Sequence, residues 1–166
     1  FIHTPQYGNI LYKGEKTMGL DQYAGWLIVK PKNKDEKVID INTYEADKED
    51  PYWDCEQEMV FEWRKHARLH EYMRQLWHHR LNAKAPYGVM ADDFNCQKLF
   101  LDWEDIDILQ RTIQTGKLPI CNDGFFWGQQ FQEESVKDYY EQDFEFTQKA
   151  FEWLKEDKKV WYECWW

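Results

Sequence analysis

A chain of 166 residues, 18% aromatic and 31% charged, is long enough for one domain with its own core and too rich in large rings to stay disordered. Its formal net charge of −10 argues against a general nucleic-acid binder, which needs a basic face to displace counterions. No apolar run approaches the roughly 20 residues of a membrane-spanning helix, so no membrane association is expected.

Residues 1–17 carry Pro5, Gly8 and Gly14, which interrupt any period, and read as a poorly committed extension. No basic start followed by an apolar run marks a secretory leader, and a chain opening at Phe1 reads as a processed product or a fragment. Residues 18–166 are expected to form a single domain. Trp26-Leu27-Ile28-Val29 has strand composition. With Pro31, a polar turn and Val38-Ile39-Asp40-Ile41 it predicts a hairpin. Asp54, with Gln57 three residues on, reads as a helix N-cap. A first helix over residues 55–81 follows, with Met59, Trp63, Ala67, His70, Trp77 and Leu81 as its buried stripe.

Phe94 to Leu101 is a strand candidate. Asp102 is placed to cap a second helix, with Asp105 at its third position and Ile106, Leu109 and Ile113 inside. Gly116 stands where a helix ends on a left-handed residue, and Leu118-Pro119 prevents continuation. A third helix is predicted from near Ser135 to Asp157, and Val160 to Trp166 is a closing strand. This order lacks βαβ alternation. It predicts an α+β fold, a small mainly antiparallel sheet with about three helices packed on one face.

Four widely spaced cysteines, with no paired-ligand spacing, suggest free buried thiols and neither a disulfide framework nor a metal site. No cofactor is expected. On the third helix Val136, Tyr140, Asp143, Thr147, Ala150 and Leu154 step by four and three, which sets Asp143 inside a seam. A buried carboxylate needs a partner, and His70, on the apolar stripe of the first helix, is the natural one. Two readings stay open. The pair satisfies itself in the core and fixes helix register, or it forms a pocket floor in which Asp143 orients the imidazole for acid–base work.

The first helix also carries Arg64, Lys65, Arg68, Arg74, Arg80 and Lys84, with four of the five histidines. The third carries Glu133, Glu134, Asp138, Glu141, Glu145, Glu152 and Glu156. Pairing between the two flanks is one reading. An anion site built on Arg64 and Lys65 is the other. Between Gly124 and Gly128 the interior Phe125-Phe126-Trp127 excludes a phosphate-cradling loop and suits an aromatic anchor.

Met18-Gly19-Leu20-Asp21 with Tyr23, Trp63-Arg64-Lys65 followed by His70, Cys96, Leu118-Pro119, Gly124-Phe125-Phe126-Trp127-Gly128, Tyr139-Tyr140 with Asp143, and the Trp-ending C-terminus together resemble a family of small phage and prophage proteins. Its members open on a similar Met-Gly-Leu-Asp and carry a Trp-Arg-Lys helix with a later His, a Gly-Phe-Phe-Phe-Gly segment and a Tyr-rich helix with an Asp. They close on Ser-Trp. Trp127 replaces a Phe, and Cys164 stands where the family has Ser. The likeness covers most of Met18 to Trp166. It implies phage ancestry and life in the host cytoplasm, supports the extension at 1–17, and places Arg64, Lys65, His70 and Asp143 on motif positions. It brings no activity with it.

The expectation is a non-enzymatic phage-type accessory protein that binds a host protein or a small anionic ligand through Arg64, Lys65, His70, Tyr140 and Asp143. Two alternatives stand beside it. One is a small hydrolase or transferase for a phosphorylated compound, with His70 and Asp143 as the catalytic pair. The other is a virion or assembly component.

Overall fold

The computed structural model describes residues 19–28, 55–84, 94–122 and 131–166. Its strands are β1 (Asp21–Ile28), β2 (Glu56–Arg64), β3 (Leu99–Leu101) and β4 (Lys159–Trp165). Its helices are α1 (Ala67–Lys84), α2 (Trp103–Gln114), α3 (Gln132–Asp138) and α4 (Tyr140–Lys155). The strands form one antiparallel sheet in the order β2-β1-β4-β3, so the α+β expectation holds. The first and last strands pair at its centre.

Alternation splits β1 and β4 between two faces. Ala24, Val160, Tyr162 and Cys164 join Phe61, Trp63, Leu99 and Leu101 in the main core, to which α1, α2 and α4 add Met73, Trp77, Ile106, Leu109, Phe146 and Trp153. Tyr23, Leu27 and Trp161 form a smaller cluster on the other face. The three helices thus bury their apolar sides on one face, as expected.

Residues 55–64 correct the reading of a helix from 55 to 81. Residues 56–64 of that span are β2, at one edge of the sheet among the described residues, and the helix starts only at Ala67. Met59 and Trp63 are four residues apart, a spacing that suits one face of a regular helix or strand, but a bulge between them puts Met59 against the Tyr23 cluster and Trp63 in the main core. The period-2 run Gln57, Met59, Phe61, Trp63 was the stronger signal. Register slips between Ala24 and Gly25, leaving Val60 without a cross-strand partner. A Cβ on Gly25 would lie 1.8 Å from the Glu58 carbonyl oxygen, so this bulge admits only glycine. Asp54 and the predicted hairpin partner Val38–Ile41 lie outside the described residues, as does Gly124–Gly128; both edges of β1 are taken by β2 and β4.

The strand predicted from Phe94 shrinks to Leu99–Leu101, because Cys96 adopts a left-handed φ of 63° that extended chain does not tolerate. Helix α2 matches its prediction. Asp102 and Asp105 form a reciprocal capping box, Ile106, Leu109 and Ile113 are buried, and Gly116 has φ +66°. The third predicted helix divides at Tyr139 and begins at Gln132, earlier than Ser135, with a left-handed Phe131 ahead of it. All four cysteines are free, Cys121 and Cys164 buried, Cys96 exposed and Cys55 between.

Candidate functional site

Asp143 is buried on the inner face of α4, and its partner is not His70. Oδ1 accepts from Trp63 Nε1 at 2.8 Å, and Oδ2 lies 2.7 Å from His66 Nε2. Trp63 comes from the end of β2, and His66 from the two-residue link into α1. That link turns because Lys65 takes a φ of 56° while its N–H bonds to the Leu20 carbonyl. The turn swings the residue after Lys65 inward, beneath Tyr139, whose ring stacks on the imidazole at 5.1 Å.

His70 sits one turn further along α1, at the other end of the same polar chain. Its Nδ1 is 3.1 Å from the Tyr162 hydroxyl. That hydroxyl accepts from Gln22 Nε2 at 2.9 Å. Gln22 in turn clamps the backbone of His66 with both ends of its amide, at 2.9 and 3.1 Å. Trp63, Asp143, His66, Gln22, Tyr162 and His70 therefore form one network that ties β2, α4, α1, β1 and β4 together. Phe94 stacks on His70, and Trp166 meets it edge-on.

Enclosure governs the electrostatics. Burial pushes His70 down to about 3, with the Arg74 charge adding to the effect, so its imidazole is neutral at physiological pH. Burial raises Asp143 above the ordinary carboxylate range, opposed by its bonds to His66 and Trp63. Burial likewise carries the Tyr162 hydroxyl well above its usual value. His66, His70, Asp143 and Gln22 are all between 0% and 1% exposed. A general acid or base must reach the proton that it moves, and none of these groups meets solvent.

The other sequence candidates lie apart. Tyr140 is exposed on the first turn of α4 and forms no hydrogen bond to the network. Tyr139 takes the inward position beside it: Asp143, Phe146, Ala150 and Trp153 continue its spacing of four and three, in place of the Tyr140–Leu154 seam. Arg64 is about half-exposed and lies 3.9 Å from the Asp21 carboxylate, and Lys65 is exposed beside it. Asp21 stands against any anion at that spot, and burial raises its own pKa despite the neighbouring Arg64. The structure thus brings Arg64, Lys65 and Asp21 together, and brings Asp143 to His66.

The predicted pairing of basic and acidic flanks is also corrected. Arg74 holds Glu71 on its own helix, Arg80 holds Asp105 of α2 and the Phe100 carbonyl, and Arg68 donates to the Leu118 carbonyl. Of these arginines Arg80 reaches α2, Arg68 the loop after it and Arg74 its own helix, and none of these bonds goes to α3 or α4. Nor does any group of three His, Cys, Asp or Glu side chains converge on a common point among the described residues. No described helix is long and apolar enough to cross a membrane.

Sequence reasoning missed His66, Gln22 and Tyr162. The signal for His66 was its place three residues after Trp63, available only once residues 56–64 are read as a strand. No family model, curated protein or solved structure matches the chain.

Proposed function

We propose that this chain is a non-enzymatic accessory protein of phage type that acts by binding a protein of its host. The enclosure of the histidine–aspartate network carries the reading. Its acid–base groups are bonded to one another and shut away from solvent, so their work is to hold five elements in register. The surface around them is left for recognition. Arg64 and Lys65 are the sequence's anion candidates, and the nearby Asp21 weakens a small anionic ligand as the occupant.

The test is isolation of the tagged full chain from bacterial extract, with retained proteins identified and their stoichiometry measured. One host protein held at fixed stoichiometry, and equally by a folded His70→Gln variant, is the expected result. Turnover of a phosphorylated compound by wild type that His70→Gln abolishes without unfolding would overturn the reading.

A further inference from the structure

A groove of about 520 Å³ runs between β2 and the helices α3 and α4, lined among others by Val60, Glu62, Asp138, Glu141, Gln142 and Glu145. Its walls come from three elements, and it contains none of the buried polar network; Gln142 is only the chain neighbour of Asp143. That amide donates to the Glu62 carbonyl at 2.7 Å, while the Tyr139 hydroxyl holds the N–H and C=O of Arg64 at 3.2 Å each. These bonds pin the helices beside the strand and keep the groove open as a feature of the fold.

Three carboxylates of the helices line this space, Asp138, Glu141 and Glu145, all exposed, and Glu62 of β2 reaches it with its backbone carbonyl. Among the described residues none of them meets a cation within ion-pair distance. The one cation of the lining, Lys149, is turned to Glu152 at 3.3 Å. Glu141 and Glu145 stand four apart on α4, a like-charge spacing that mildly destabilises a helix. The fold therefore keeps this negative charge uncompensated.

A second feature of the lining is apolar. Val60 is the bulged residue of β2 and lines the groove 43% exposed. A bulge re-aims a side chain at a sheet edge, and here it turns a branched aliphatic group into an acidic setting. An exposed aliphatic group set among carboxylates has the makings of a protein contact, in which an apolar centre is ringed by polar groups.

We infer that this groove docks a lysine- or arginine-rich segment of a partner protein, one aliphatic side chain of which covers Val60. The proposal rests on the protein-binding reading above and names the partner's chemistry. Charge excludes the other large partners: nucleic acid and anionic membrane surfaces are repelled by the same carboxylates. Spacing excludes a single metal ion, since the carboxylates do not converge. The groove also holds several side chains, where one water's share of liquid volume is about 30 Å³.

The probe is a fluorescein-labelled peptide of alternating lysine and serine with one central leucine, titrated against the full chain by fluorescence anisotropy. Saturable binding that weakens with added salt is expected. Glu141→Gln/Glu145→Gln should weaken it about five- to tenfold, the sum of two rim charges. Glu104→Gln/Glu156→Gln, which removes two carboxylates outside the groove, should leave it unchanged. Val60→Ser should weaken the leucine peptide and not a version with serine at its centre.

Equal loss in both double variants would reduce the effect to net charge and overturn the proposal. So would spermine that binds as tightly as the peptide with the same dependence on Glu141 and Glu145. Both double variants keep the helical spectrum, because the changed residues are exposed. A host protein retained equally by wild type and Glu141→Gln/Glu145→Gln would leave protein binding standing and remove the groove from it.

Discussion

Helix α4 carries carboxylates on its two faces under opposite rules. Asp143 points inward, is sealed from water, and holds one donor on each oxygen. Glu141 and Glu145, two residues to either side, point outward and hold none. Burial makes the difference. A carboxylate stripped of water must recover its hydrogen bonds from the protein, whereas an exposed one keeps its hydration. The inner face is therefore bound to structure, and the outer face stays free to meet another molecule.

The largest expected effect comes from removing the inner carboxylate. Asp143→Ala leaves His66 and the Trp63 indole N–H without their acceptor inside the core, and should cost about 3–5 kcal/mol in urea unfolding. A loss below about 1 kcal/mol would mean that water reaches the site, and would collapse the contrast between the faces. Trp63→Phe keeps the ring packing and removes one donor, so about 1–3 kcal/mol is expected by the same measurement.

Acidity separates the two ends of the network. His70 has a folded value of about 3 against an ordinary 6.5, so between those values the unfolded chain binds the extra proton. Its contribution is complete above about pH 6.5 and is lost as pH falls toward 3, with a slope of about 1.4 kcal/mol per pH unit. Asp143 acts with the opposite sign. Its folded value is raised, so in its window above 3.8 the native state binds the proton first, and stability rises as pH falls. Urea midpoints measured from pH 7 to 4 should drop less steeply in His70→Gln than in wild type. Parallel curves would show that His70 titrates alike in both states.

Asp102 is the intermediate case, an exposed carboxylate with a partner. It accepts the Asp105 N–H at 2.8 Å as the α2 cap, and Asp102→Ala should cost about 1 kcal/mol. Glu141→Gln/Glu145→Gln should change stability least, within about 0.5 kcal/mol of wild type by thermal melting. A large loss there would place those side chains in structural contacts and erase the free outer face.

Local signals were legible wherever a few neighbouring residues decide the outcome. The α2 cap at Asp102 and Asp105, its inner face Ile106-Leu109-Ile113, the left-handed Gly116 and the closing strand near Val160 all follow from contacts within a turn or from simple alternation. The α+β class followed from element order. That Asp143 would be buried and in need of a partner was also legible, because a charge inside an apolar seam demands one.

Tertiary structure alone decided the rest. A spacing of four, as between Met59 and Trp63, suits either regular structure, and pairing with β1 selected a strand whose bulge sends the two to opposite faces. Asp143 continues two overlapping seams, and packing against the sheet chose Tyr139, Phe146 and Trp153 over Tyr140 and Leu154. His66 and His70 are both plausible partners for Asp143, and His66 is 77 residues away along the chain. Such a choice depends on where the link after β2 turns. Hydrogen bonds of about 3 Å are settled by the three-dimensional path of the backbone, and spacing along one helix carries no information about that path.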